Sequence, residues 1–264
     1  MSGDEIIATI GSFFVGIFAW IPGWYRYAFR RRFAHDTRAS SIVLFAPLFC
    51  ALLLLAVLLT LAADDVRRDP VYLFFYTLMG MAWIGGWAAF FGAFGIRLRE
   101  DVAEGKNRAA AIALAGSLIA VTLAFAGGNI GNGPGWWVVV VCAALSTGAI
   151  FVLWMLIEWT TGVSERVTVE RDVAAAIRFA GLVIALGVIL GRAVAGDWES
   201  LDATLEDFWR VGWPALLLAA AGIIVERGLR FVPVRTSSLA FGVLPLLAYL
   251  SAAIWYVAMT LPPP

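Results

Sequence analysis

Long uncharged runs alternate with short charged segments along the whole chain. The runs cover residues 6–25, 39–63, 71–96 and 109–157, then 173–191 (interrupted only by Arg178), 211–225 and 236–264. A helix that crosses the hydrocarbon core of a bilayer needs about 20 mostly apolar residues. Run 109–157 contains Gly127-Gly128-Asn129-Ile130-Gly131-Asn132-Gly133-Pro134-Gly135, a turn by composition, so it divides into two helices. Eight candidate spans result. Seven are clear; the first is short, because Pro22-Gly23 is expected to end its helix. That segment has two faces. Ile6, Ile7, Ile10, Phe13, Phe14, Ile17, Phe18 and Ile21 fall on one stripe, and Ala8, Thr9, Gly11, Ser12, Gly16 and Ala19 fall largely on the other. It reads either as an interfacial amphipathic helix or as a span that packs its small face on a neighbour. An interfacial helix usually carries a charged face, and this one has none.

A repeat favours the spanning reading. Residues 107–116 read NRAAAIALAG and residues 172–181 read DVAAAIRFAG, an offset of 65. The match extends to Ile119 with Ile184, Ala120 with Ala185, Glu100 with Glu165 and Val102 with Val167. Two helices fit in one period, so the duplication is parallel. The remaining spans start at similar steps. Arg38-Ala39-Ser40-Ser41 echoes Arg235-Thr236-Ser237-Ser238, with Pro47 and Pro245 at nearly the same depth. The expected fold is all-α: one transmembrane bundle of eight helices, built from four sequential helical hairpins in units 1–64, 65–130, 131–196 and 197–264.

Composition agrees. Hydrophobic residues make up 62% of the 264 and charged residues 14%, with a mean hydropathy of +0.87. A soluble domain carries roughly 25% charged residues. The 19 basic and 19 acidic residues balance, so nucleic acid is not an expected partner; the bilayer is. The one histidine, His35, and the one lysine, Lys106, lie in charged stretches, which excludes bis-histidine haem ligation and a retinal-type Schiff base within the membrane. Cys50 and Cys142 lie in apolar runs and read as buried structural thiols. No positive stretch precedes the first apolar run, so no secretory signal peptide is expected. No cofactor or metal is expected, and no catalytic constellation is present: no GxSG elbow, HExxH, P-loop or paired intramembrane aspartates.

Basic residues in short loops set the expected orientation. Arg26, Arg30, Arg31, Arg32, Arg38, Arg97, Arg99, Lys106, Arg108, Arg166, Arg171, Arg227, Arg230 and Arg235 fall on one side, against Arg67, Arg68, Arg192 and Arg210 on the other. The first side is expected to be cytoplasmic, with both termini outside. The outer loops are acidic, and Trp136, Trp137, Trp209 and Trp213 open helices there, as an interfacial aromatic belt would.

The motif N/D-x-AAAI-x-x-AG, present at Asn107–Gly116 and Asp172–Gly181, resembles the YjfL-like family of bacterial inner-membrane proteins, a domain of unknown function. In that family an acidic cytoplasmic segment leads into an Ala-rich helix carrying AG. The resemblance covers roughly residues 71–230, and this chain would be a doubled version. It implies an inner-membrane, non-enzymatic protein linked to envelope biology, and it transfers no catalytic residue. Asp172 departs from Asn107, and the outer hairpins lack the AAAI core.

An ionisable group inside a membrane is a functional candidate by default. Arg178 is the deepest, six residues and so about 9 Å beyond Asp172 along its helix. Glu158 ends the preceding helix at similar depth, and a Glu158–Arg178 ion pair is expected, either as a clamp between hairpins or as part of an ion route. The first copy has Ala93 and Ala113 at these positions. Asn129 and Asn132 read as turn residues, and Gly80, Gly85, Gly86, Gly92 and Gly95 as sites of close helix packing. Trp83, Trp87 and Trp154 lie deeper than a belt requires; they serve packing, or contact a bound lipid or cofactor. Residues 197–210 read as a short amphipathic outer helix whose stripe of Trp198, Leu201, Leu205 and Trp209 packs on the bundle, lies on the membrane or docks a partner. Two roles remain open: a structural or accessory membrane subunit, as a homo-oligomer or in a heteromeric assembly, and a channel or transporter built from repeated hairpins.

Overall fold

The computed structural model describes residues 1–28, 37–231 and 239–260, and every regular element among them is helical. The long helices are α1 (Gly3–Trp20), α2 (Thr37–Leu61), α3 (Pro70–Ala88), α4 (Arg108–Gly127), α5 (Trp136–Thr161), α6 (Val173–Ala193), α7 (Leu201–Gly212), α8 (Pro214–Gly228) and α9 (Leu244–Thr260). Seven apolar segments are long enough to cross a membrane, and α7 with α8 would make an eighth, bent by 40° at the break between them. The chain is therefore all-α, with the apolar helices of a multi-pass membrane protein. His35, Arg30, Arg31, Arg32 and the Arg235–Ser238 flank lie outside the described residues.

The expectation for the first span is corrected. Its helix does not stop at Pro22-Gly23. It continues through one π-helical turn, Ile21–Tyr25, giving an apolar segment Gly3–Tyr25 of 23 residues. Pro22 sits in the first turn of that element, where a missing N–H is tolerated. The short member is the seventh, where Pro214 restarts the helix after α7 and leaves α8 with 15 residues.

The helices fall into two rows. One row runs α2, α4, α6, α9. The other contains α1 beside α3, and α5 beside α8, with Trp83 and Trp87 of α3 reaching Thr147 and Phe151 of α5. Helices α4 and α6 form the centre: 78% of each is buried, against 11% of the first span and 17% of the last. Small residues bring the central helices together. A Cβ added to Gly116 would stand 2.5 Å from the Ala180 Cβ, one on Gly127 2.1 Å from the Gly191 carbonyl, and one on Gly187 2.8 Å from the Ala120 carbonyl. The glycines of α3 divide. Gly80 and Gly85 lie in close contacts, Gly86 faces open space, and Gly92 and Gly95 belong to the 3-10 turn beyond the helix.

The segments that lead into α4 and α6 share their hydrogen bonding at the 65-residue offset. Gly105 N–H donates to the Glu100 carbonyl, as Glu170 does to Glu165; Asn107 N–H donates to Asp101, as Asp172 does to Arg166. Lys106 and Arg171 both take positive φ, at 50° and 56°. The Asn107 Oδ1 accepts from Ala109 and Ala110 N–H, and the Asp172 Oδ1 accepts from Ala174 and Ala175 N–H. Both are N-caps that satisfy otherwise orphaned helix donors.

Candidate functional site

Arg178 is the only arginine on the buried face of α6, and it is 1% exposed. A guanidinium in such a place must be paired and hydrogen-bonded. Its partner is Glu226 of α8, 4% exposed. Nε donates to Oε1 at 2.6 Å and Nη2 donates to Oε2 at 2.8 Å, a bidentate fork. Nη1 donates to the Phe241 carbonyl, in the π-helical turn Leu239–Val243 that leads into α9. That carbonyl needs an outside donor because Pro245, four residues on, has no N–H to return to it. The three groups thus tie α6, α8 and the start of α9 together. Tyr249 of α9 lies within electrostatic range of the pair, and its buried hydroxyl has no hydrogen-bond partner.

The first hairpin solves the same problem with a different donor. Pro47 of α2 leaves the Val43 carbonyl without its helical N–H, and the indole Nε1 of Trp24 donates to it at 2.9 Å in a buried setting. Trp24 was not singled out from the sequence. The signal available was the helix proline and the orphaned carbonyl four residues before it.

The expected Glu158–Arg178 pair does not form. Glu158 instead accepts from Ser164 N–H at 2.9 Å and from the Ser164 hydroxyl at 2.5 Å, across the left-handed Gly162 that separates α5 from the helix Val163–Thr168. The sequence hides Glu226 because the uncharged run ends at Val225, whereas α8 continues to Gly228 and carries Glu226 on its buried face. The central helices hold a second buried cluster nearer the basic side. Arg166 Nη2 donates to Asp172 Oδ2 at 2.6 Å and Nη1 donates to the Leu229 carbonyl at 3.0 Å. This explains why Asp replaces Asn at the second N-cap. The second branch of Asp172 meets a guanidinium and must accept. The second branch of Asn107 meets the Val167 and Thr168 carbonyls, at 2.7 and 3.1 Å, and must donate.

The stripe of the outer helix is only partly as expected. Trp198 stacks edge-on against Trp137, but Leu201, Leu205 and Trp209 are 51%, 40% and 66% exposed. The bundle is met instead by Phe208 and Gly212. The stripe therefore does not pack as core. The outer turns are paired by their backbones: Gly196 N–H donates to the Ile130 carbonyl and Trp198 N–H to the Asn132 carbonyl, both at 2.8 Å. Asp197 Oδ1 accepts from the backbone and side-chain amides of Asn132. The cavity of about 130 Å³ beneath them has Asp65, Asp197 and Asp207 in its lining. Among the described residues no group of three potential ligands could hold a metal ion.

Cys50 and Cys142 are free and buried. Ser117 bonds its own helix, while Ser146 also donates to the Ala124 carbonyl of α4 at 3.1 Å. Outside the spans, burial pushes the Asp101 carboxyl up from its ordinary value, and the Glu100 charge adds to this, against the Arg97 N–H that it accepts at 2.6 Å. Comparison with family models, with curated proteins and with solved structures finds no match.

Proposed function

We propose that this chain is a non-enzymatic structural or accessory subunit of a membrane assembly, of the YjfL-like type, seated in a bacterial inner membrane by a duplicated hairpin. The observation that carries the reading is the state of its deepest charge. Arg178 spends its hydrogen bonds on Glu226 and on the carbonyl freed by Pro245, so the charge serves to join three helices. A residue on an ion route keeps donors or acceptors turned towards water, whereas Arg178 lines none of the cavities of about 130, 430 and 310 Å³. The shared hydrogen bonding of the two N-cap junctions supports the duplication. The basic loops support the orientation with both termini outside. The exposed stripe of α7, with Asp202, Glu206 and Asp207 beside it, supports an interfacial position for that helix at the outer face. Large exposed apolar faces on α1 and α9 suit lipid or a neighbouring subunit.

The competing reading is a channel or carrier whose route passes the Arg178–Glu226 pair, with the unpartnered Tyr249 hydroxyl as a polar step. Ion flux into liposomes holding the purified chain separates the two. The subunit reading predicts that wild type, Arg178→Met and Glu226→Gln all match protein-free liposomes for sodium, potassium, chloride and protons under an applied voltage. Flux in wild type that either substitution abolishes would replace it with the channel reading.

A further inference from the structure

An apolar groove of about 430 Å³ runs between α1 and α5 over α3, within the size range of roughly 300–1,000 Å³ typical of small-molecule sites. Gly11 and Ser12 of α1, Gly86 and Trp87 of α3, and Trp136 of α5 are among its lining. Two features make it a built site rather than a seam. First, glycines face it where side chains would fit: a Cβ on Gly11 would meet nothing within 4 Å, and one on Gly86 would meet only Val15, at 4.0 Å. These differ from Gly80 and Gly85 of helix α3, which lie in hard contact with neighbours. The groove is open where α1 and α3 seal against each other elsewhere. Second, the side-chain charges near its Trp136 end are carboxylates. No Lys or Arg lines it, and Trp136 donates from Nε1 to the Asp4 carboxylate at 3.0 Å. Glu5, the next residue, accepts from the Tyr72 hydroxyl at 3.4 Å, and Asp65 and Asp69 stand within electrostatic range of the same tyrosine. Among the described residues no Lys or Arg side chain pairs with Asp4 or Glu5; Glu5 stands 3.9 Å from the Met1 amine.

An apolar groove between span-length helices, with the Asp4 carboxylate bonded to the lining indole of Trp136 and Glu5 next to it, fits a ligand with a hydrocarbon tail and a cationic head. We propose that this groove holds one acyl chain of a membrane phospholipid with an ammonium headgroup, of the phosphatidylethanolamine type. The chain lies along the groove over Gly86 and against the Trp87 face. The ammonium reaches Asp4 and Glu5, with the Trp136 ring beside it as a cation–π partner. A phosphoglycerol head would set its phosphate against the same carboxylates with no ammonium to offset the repulsion. Trp83 and Trp87, set deeper than an interfacial belt, thereby gain a role as walls of a lipid seat.

The test uses the full chain, incorporated in vesicles of equal phosphatidylethanolamine and phosphatidylglycerol, extracted in mild detergent, with retained lipid measured by native mass spectrometry. Wild type is expected to retain lipid in which phosphatidylethanolamine exceeds phosphatidylglycerol roughly three-fold, the preference that a partly exposed charge contact supplies. Gly86→Leu and Gly11→Leu each start from a Cβ with open space or only Val15 at 4.0 Å beside it, and each is expected to lose the retained lipid while keeping the wild-type melting temperature. Asp4→Asn with Glu5→Gln is expected to retain lipid at the composition of the vesicle. The proposal is overturned if wild type retains none, if its retained lipid mirrors the vesicle, or if both leucine variants retain as much as wild type. The wild-type measurement decides by itself should a variant fail to fold.

Discussion

At the scale of single residues, the buried polar groups follow from one rule: each donor or acceptor removed from water must meet its opposite. The rule explains the one difference between the two N-caps, which the sequence shows but does not account for. Asn107 faces two carbonyls and Asp172 faces a guanidinium, so the first position calls for an amide that donates and the second for a carboxylate that accepts. Asn107→Asp keeps the helix cap but leaves both carbonyls without a donor and adds an unpaired charge. It is expected to cost about 1–3 kcal/mol, read as a lowered melting temperature in detergent; an unchanged melt would contradict the assignment. The caps themselves were legible, since an Asn or Asp before an alanine run is a helix start. What the second branch of each side chain meets was not: Val167 reaches Asn107 from 60 residues away through tertiary packing, and Arg166 reaches Asp172 through the local turn six residues before it. The same limit hid Glu226, which lies 48 residues from Arg178.

At the scale of elements, helix number and the central pair could be read from the uncharged runs and from AAAI-x-x-AG, because hydrophobic length fixes a span whatever its neighbours. The ends were harder. Pro22-Gly23 looks like a stop, yet the helix passes it by widening to a π turn, and Glu226 looks like a boundary, yet it is held inside by its ion pair. Nor does the sequence tell a glycine that seals two helices from one that faces space. Gly127 lies against the Gly191 carbonyl and Gly148 meets nothing within 4 Å. Gly127→Ala is therefore expected to force α4 and α6 apart and to destabilise by about 1–3 kcal/mol, as overpacking does. Gly148→Ala is expected to be neutral or to stabilise by about 0.5–1 kcal/mol through helix propensity. Equal effects from the two, measured by unfolding in mixed micelles, would contradict the packing described.

At the scale of the molecule, side-chain ties hold the two rows of helices together, some of them buried. Arg178 with Glu226 and the Phe241 carbonyl joins the third hairpin to the fourth, as Trp24 with the Val43 carbonyl joins the two helices of the first. The need for a partner at Arg178 was legible from its depth. That the partner is Glu226 was not, because Glu226 arrives through tertiary packing, while Glu158 accepts from Ser164 at the start of the next short helix. The claim on which the functional reading rests is that Arg178 is a clamp. A double-mutant cycle on equilibrium unfolding tests it most directly, with Arg178→Met, Glu226→Met and the pair together, and Glu158→Gln as reference. Each single change is expected to cost about 3–5 kcal/mol, because it leaves a buried charge unpaired, and the double change much less than their sum. Glu158→Gln is expected to cost no more than a partly exposed cap, about 1 kcal/mol. Additive costs for Arg178 and Glu226, or a larger loss from Glu158→Gln than from Glu226→Met, would contradict the clamp.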